Sequence, residues 1–267
     1  MPDIIMNADY ITDLLHTEKT HHHTSQRLTE GQLEAAAIIE DHSLQEKLLK
    51  ELMKNYMILQ QKVDTLLKNT LPAVVAEEIK YGDRFAPRVY DCTILFSDFV
   101  GFTRMAERLS NTELIDILNR LFCAFDDIVS RYRGTKIKTV GDAYMIVFGA
   151  PTSLDRHAYF AVLTALEMQK HIDDFNRTVT YPFQMRVGIH SGRVIAGVVG
   201  KERLQFDVFG DNVNIASRFE SAGEPGQVNI SEETYRRTKE YFHFIKRGKV
   251  PLKNKDAMNA YFVRGTR

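Results

Sequence analysis

The chain has no charge excess of either sign: 35 Lys and Arg offset 35 Asp and Glu over 267 residues. A protein that holds nucleic acid irrespective of sequence needs a basic surplus to meet the phosphates, and none is available here. Cysteine is scarce as well. Cys92 and Cys123 are the only two, too few for a disulfide-stapled scaffold and without metal-ligand spacing. They read as small apolar side chains in a reducing compartment, which points to the cytoplasm. No apolar run approaches the roughly 20 residues that span a bilayer, and the N-terminal MPDIIMNADYITDLL lacks the basic flank and long apolar stretch of a secretory leader. Internal repeats and low-complexity tracts are also missing.

What is present is enough apolar content, 44%, to bury one core of about 150–200 residues and leave an accessory segment over. Leu49, Leu52, Tyr56, Leu59, Val63 and Leu66 follow a spacing of 3, 4, 3, 4, 3. That spacing predicts a coiled-coil seam two to three heptads long, the alternative being one amphipathic helix packed on its own domain. Leu71-Pro72 interrupts it, because proline lacks the amide donor and disfavours helical geometry in the residue before it. A short helix over Ala73 to Lys80 follows and ends at Tyr81-Gly82. Residues 1–70 are expected to be an arm and dimerising helix, 71–88 a joint that transmits between the two parts, and 89–267 the globular domain. His21, His22 and His23, with His16 close by, sit among Thr, Glu and Lys and read as solvated rather than metal-binding.

The globular part opens on CTILFSDF, an apolar strand that ends in an acid. Ser110 to Glu113 is a capping-box start for an amphipathic helix reaching about Tyr132. Lys136 to Phe148 reads as a hairpin turning at Val140-Gly141-Asp142. A helix over about Leu154 to Phe175 leads to a strand at Gln184 to His190, a turn at Ser191-Gly192 and a strand at Val194 to Val199. A helix from Asn212, a strand near Val228, a helix from Ser231 and two closing strands complete the chain. The order implies an α+β domain of ferredoxin-like, palm type: an antiparallel sheet with helices on one face, preceded by the N-terminal coiled-coil helix.

Two acids stand at the tips of apolar strands, Asp98 in ILFSDFVGFT and Asp142 in KTVGDAYMIVFG. A strand tip followed by a glycine-containing loop lets a carboxylate face a phosphate-bound metal while backbone N–H groups meet phosphate oxygens. Two such acids on adjacent strands could hold a pair of magnesium ions, one acidifying an attacking hydroxyl and the other binding the leaving phosphates. A single aspartate at either place would be read as a turn cap; the pair is what carries chemistry.

FSDFVGFT, KIKTVGDAYM, MRVGIHSGRV and FDVFGDNVNIASR, in that order, closely resemble the catalytic domain of class III adenylyl and guanylyl cyclases, over about Asp91 to Val263. The resemblance implies that Asp98 and Asp142 share two divalent ions, Mg²⁺ or Mn²⁺, with the carbonyl of Phe99 as a further ligand. It makes the backbone of Val100, Gly101, Phe102 and Thr103 the triphosphate loop. Arg186 takes the place of a phosphate-contacting arginine, whose planar fork suits two oxygens better than a lysine does. Lys253 takes that of a lysine reaching the phosphates from a partner subunit, although Asn254 stands where the family usually has glycine. Asn214 and Arg218, four apart and so on one helix face, correspond to the pair that positions the ribose and stabilises charge on the α-phosphate as the 3′-hydroxyl attacks.

The base is read by two further positions. Adenine offers an N6 donor and an N1 acceptor, so its reader needs one acceptor and one donor. Lys138 can only donate and an ionised Asp207 can only accept, and these are the types found at the matched positions in adenylyl cyclases; guanylyl cyclases generally carry glutamate and a small residue such as cysteine there. The sequence therefore favours ATP, converted to cyclic AMP and pyrophosphate. The alternatives are a guanylyl cyclase of the same fold, a silent regulatory homologue, which would normally have lost a metal acid or the Asn–Arg pair, and a diguanylate cyclase, which needs a GGDEF-like turn where TVGDAY stands. In the family, metal and base residues of one site come from different subunits. One chain here carries both sets, so a homodimer has two complete sites. The heptad helix is placed to orient the subunits, and the arm before it is where an upstream sensor or partner would act.

Overall fold

The computed structural model describes residues 42–82, 84–102, 106–253 and 255–267; the histidine tract and Thr103 lie outside the described residues. A division into compact units falls between Leu67 and Lys68. In the first unit the described chain is helix α1 (His42–Thr70), which continues three residues into the second. Its heptad residue Leu59 and its neighbours Met53 and Met57 are exposed. The helix stops before Pro72, as expected, and α2 (Ala73–Gly82) begins directly after it. Among the described residues no helix is long and apolar enough to cross a membrane.

The second unit is built on an eight-stranded sheet. After β1 (Arg88–Phe99) come α3 (Asn111–Arg131), the hairpin β2 (Thr135–Val140) and β3 (Ala143–Phe148), α4 (His157–Asn176) and β4 (Met185–Val199). Then follow β5 (Gln205–Phe209), α5 (Asp211–Ser221), β6 (Val228–Ser231), α6 (Glu232–Thr238), β7 (Phe242–Leu252) and β8 (Lys255–Thr266). Hydrogen-bonded order is β2-β3-β1-β4-β6-β8-β7, with β5 paired to β4. The β1-α3-β2-β3-α4-β4 portion is the expected ferredoxin-like arrangement, with β1 and β3 at its centre. Local signals place its parts. The Ser110 side chain accepts from the Glu113 amide, and Glu113 returns the bond to the Ser110 amide, which starts α3 where the capping box predicts. Gly141, at φ +63°, turns the β2–β3 hairpin.

Three expectations need correcting. Ser191-Gly192 is not a turn: β4 runs unbroken, because Thr93 pairs with Ser191 and Cys92 with Gly192 along β1. Strand β5, absent from the sequence reading, pairs with the end of β4 from Ile195↔Phe209 to Val199↔Gln205. Helices cover both faces of the sheet rather than one. Val187 and Ile189 join the main core with Phe125 of α3 and Met168 of α4. The alternate residues Gly188 and Gly192 point the opposite way, at α5. A Cβ at Gly188 would lie 1.9 Å from the Glu220 amide nitrogen, so only glycine lets the helix backbone rest on the strand. A smaller core of Ile215, Phe219, Leu252 and Ala260 secures that second face. Side chains such as Leu95, Phe125, Phe148 and Ile172 are fully buried, each contributing about 1.5–3 kcal/mol of transfer free energy.

Candidate active site

Asp98 and Asp142 meet at one tip of the sheet. Asp98 is the penultimate residue of β1, and Asp142 lies in the β2–β3 turn, which β3–β1 pairing brings alongside. The Phe99 amide donates to Asp142 Oδ2 at 3.2 Å, so the strand end itself orients the second acid. Partial burial, reinforced by the charge of Asp98, pushes the Asp142 carboxyl up to about 6. Two carboxylates crowded in this way repel each other until a cation arrives. Among the described residues no group of three or more His, Cys, Asp or Glu forms a ready-made cage. Two carboxylates and the Phe99 carbonyl nevertheless suit a magnesium-type ion, which keeps water and substrate phosphate as its remaining ligands.

Arg186 lies directly across from Asp98 in the β1–β4 register. Its Nη2 donates to Asp98 Oδ2 at 2.9 Å and stands 3.1 Å from Glu220 Oε1. The second contact is electrostatic rather than a hydrogen bond, since Glu220 Oε1 and Arg186 Nε are both buried without a hydrogen-bond partner. Burial raises the Glu220 carboxyl, and Arg186 opposes the rise. The sequence reading missed Glu220. Two residues after Arg218 it looks like a helix-end acid, and only the α5–β4 contact at Gly188 reveals what it faces.

The loop after β1 departs in part from expectation. The Val100 amide donates to the Gln184 carbonyl at 2.7 Å, so it is not free to meet a phosphate in this conformation. Gly101 follows at φ +70°, and Phe102 is the last residue described before 106. Lys253 is exposed at the turn between β7 and β8.

The two residues expected to read the base come together within the chain. Lys138 Nζ donates to Asp207 Oδ2, and the Val208 amide donates to Asp207 Oδ1 at 2.9 Å. Asp207 is buried while Lys138 is about one-third exposed, at 35%. β2 and β5 stand at opposite ends of the hydrogen-bonded path β2-β3-β1-β4-β5, so the contact requires a strongly coiled sheet. Asn214 and Arg218 sit on the solvent side of α5, whose buried side holds Ile215, Ala216, Phe219 and Glu220. Among the described residues neither Arg218 nor Asn214 has a side-chain hydrogen bond or ion pair with the acids, with Arg186 or with the Lys138–Asp207 pair. The chain thus presents, among the described residues, two assembled polar clusters and one helix face left open.

Residues 85–265 match the family model of the adenylate and guanylate cyclase catalytic domain, and the chain belongs to that family. It is 39% identical over 218 residues to human guanylate cyclase soluble subunit beta-2, covering 80% of this chain and 35% of that one. It is 38% identical over 204 residues to an adenylate cyclase of Mycobacterium tuberculosis, covering 76% and 46% respectively. The crystal structure of the adenylyl cyclase CyaB from P. aeruginosa superposes with a TM-score of 0.66 at 32% identity, over 68% of this chain and 98% of that one. The chain therefore spans less than half the length of these curated relatives, which include cyclases of both names.

The crowding at Asp142 has a measurable consequence. Partial burial and the charge of Asp98 push the Asp142 carboxyl from the ordinary 3.8 up to about 6, so the fold binds the proton more tightly than the unfolded chain. Stability falls as pH rises from about 4 through 6 and stays lower above it. In metal-free protein, Asp142→Asn is expected to raise Tm at pH 7.5 by roughly 2–4 °C, taking about 1 kcal/mol after solvent screening. At pH 4 the gain should vanish. Thermal melts of both proteins at the two pH values check this, and a gain that persists at pH 4 would mean another cause.

Proposed function

We propose that the protein is an adenylyl cyclase, which converts ATP to 3′,5′-cyclic AMP and pyrophosphate at a homodimer interface with two divalent ions per site. The observation that carries the ATP assignment is the Lys138–Asp207 contact. A donor-only and an acceptor-only group share one place, each occupying the other until a base with one acceptor and one donor inserts between them. Guanine, with an O6 acceptor and N1–H and N2–H donors, would leave buried groups mispaired, and such mispairing can discriminate by about 10⁴-fold.

In the reaction the ribose 3′-oxygen attacks the α-phosphorus and loses its proton. The bond from that phosphorus to the bridging oxygen of the β-phosphate breaks, and pyrophosphate leaves. Asp98, Asp142 and the Phe99 carbonyl would hold the divalent ions, which would supply acidification of the hydroxyl and charge for the departing phosphates. Arg186, now shared between Asp98 and Glu220, has a planar guanidinium suited to two phosphate oxygens. Arg218 and Asn214, arriving from the second subunit, hold the ribose and meet charge that develops on the α-phosphate only in the transition state. Their open helix face supports that division, as does the exposed position of Lys253, assigned to reach the phosphates across the interface. The α1 heptads would hold the two chains together.

Purified protein with Mg²⁺ or Mn²⁺ and either ATP or GTP tests this by product analysis. Lys138→Glu combined with Asp207→Cys is expected to lower kcat/KM for ATP by about 100-fold or more, since both complementary bonds are lost. Unchanged preference for ATP over GTP in that variant would show that the base is read elsewhere.

A further inference from the structure

Behind α5 runs a series of buried polar side chains to which the reaction as described gives no part. Arg237 Nη1, held by Asp91 at 2.9 Å, lies 3.0 Å from His157 Nε2. His157 Nδ1 lies 2.7 Å from Thr93 Oγ1, which is 2.7 Å from Ser191 Oγ. Ser191 Oγ is 3.0 Å from Thr234 Oγ1, itself 3.2 Å from Ser231 Oγ. Ser231 Oγ is 2.8 Å from His190 Nδ1, and His190 Nε2 is 3.0 Å from Asn212 Oδ1. Asn212 Nδ2 then donates to the Arg193 carbonyl at 2.8 Å. Thr93, Ser191, Ser231 and Thr234 are at most 1% exposed, and His190 is 5% exposed.

The ends of the series decide every proton between them. A guanidinium only donates, so His157 Nε2 must accept and its proton sits on Nδ1. Asp91 Oδ2, at 3.9 Å, is too far from His157 Nε2 to reverse this. At the other end a backbone carbonyl only accepts, so Asn212 presents its Nδ2 there and its Oδ1 to His190, whose proton is thereby on Nε2. The hydroxyls between must then all donate in one direction: Thr93 to Ser191, Ser191 to Thr234, Thr234 to Ser231, Ser231 to His190. Both histidines are neutral in this arrangement, in agreement with burial lowering the pKa of each. The series also crosses the sheet. Thr93 and Ser191 share the face of Ile189 and α4, whereas His190 shares that of Gly188 and α5.

We propose that His190 is a positioning residue for the cyclase reaction: at the end of this one-directional hydrogen-bond chain it fixes α5, and with it Asn214 and Arg218. His190 holds the helix at two places. It donates to Asn212 in the first turn, and its ring lies parallel to Phe219 in the last turn, with centroids 6.2 Å apart. The Asn212 side chain occupies the space that a Cβ at Gly192 would fill, 2.6 Å from its Cγ. The apolar packing of Ile215 and Phe219 holds the helix on the sheet, and the His190–Asn212 bond adds a directional contact that fixes its axial placement at the Gly192 end. The transition-state groups project from the opposite side of the same helix, where a shift of about 1 Å can cost on the order of 100-fold.

The inference rests on the cyclase reading, and the test separates the two. In ¹⁵N-histidine-labelled protein at pH 7, the ring shifts are expected to show neutral His190 protonated at Nε2 and neutral His157 protonated at Nδ1. The other tautomer or an imidazolium at either position overturns the chain, whatever the enzyme's substrate. His190→Phe keeps the ring against Phe219 and removes both hydrogen bonds. Its kcat is expected to fall about 10-fold or more while KM for ATP changes less than about twofold, the signature of an interaction made in the transition state. In an Arg218→Ala background, where residual turnover leaves Asn214 as the remaining group positioned by the helix, the same substitution should cost clearly less than it does in the wild type. A raised KM with kcat retained, or an equal further loss in that background, overturns the positioning role. If the wild-type protein makes no cyclic nucleotide, the functional reading falls, and the tautomer measurement still decides the hydrogen-bond chain. The same measurement decides it if His190→Phe fails to fold.

Discussion

Asp98→Ala and Asp142→Ala are each expected to lower turnover at least about 100-fold, equivalent to roughly 3 kcal/mol of transition-state stabilisation, while leaving folding and dimerisation intact. The two effects separate because the acids hold no core together. Asp142 is a partly buried carboxylate at a turn, disfavoured by its surroundings, and its removal relieves repulsion. Asp98 is bonded to Arg186, which keeps Glu220 as a second acidic neighbour when Asp98 is lost. Either variant should therefore melt no lower than wild type by more than a degree or two, since about 1 kcal/mol shifts Tm by ~2–4 °C at this size. Addition of Mg²⁺ should raise Tm in the wild type and not in the variants. Turnover above a few per cent of wild type from either one would remove the carboxylate pair from the mechanism.

Mixing the Asp98→Ala chain with an Arg218→Ala chain should restore activity well above that of either chain alone. The first lacks an acid of the β1 tip; the second lacks the α5 guanidinium. If each site takes its acids from one subunit and its arginine from the other, a mixed dimer has one intact site and one doubly damaged site. Random exchange places about half of the dimers in the mixed form, each with one working site of two, so the mixture should approach about a quarter of wild-type activity per total protein on the symmetric-dimer premise. Sedimentation or light scattering on each variant tests whether both form the expected dimer. With exchange demonstrated, an inactive mixture would place all the catalytic groups of a site on one chain.

The side chains proposed to carry the chemistry were picked out of the sequence by local signals. An acid ending an apolar strand, a glycine turn before Asp142, a capping box at Ser110 and an i, i+4 spacing of Asn214 and Arg218 are all read within a few residues, and α3 and the β2–β3 hairpin formed where those signals put them. Errors arose where a local signal was overruled from a distance. Ser191-Gly192 has turn composition, yet β1 pairs through it and α5 needs the missing side chain. QFDVF is short and interrupted by Asp207, and pairing with β4 makes it a strand.

By itself the sequence determined the residue types available to the site, the order of helices and strands in the ferredoxin-like portion, and the donor and acceptor at Lys138 and Asp207. Hydrogen-bonding capacity and backbone preference belong to each residue wherever it sits. Tertiary structure alone decided that Arg186 faces both Asp98 and Glu220, that β2 and β5 approach closely enough for Lys138 to reach Asp207, and that His190 looks toward α5 while Ser191 looks away. These are consequences of strand register and sheet coiling, in which a shift of one residue sends every side chain to the opposite face.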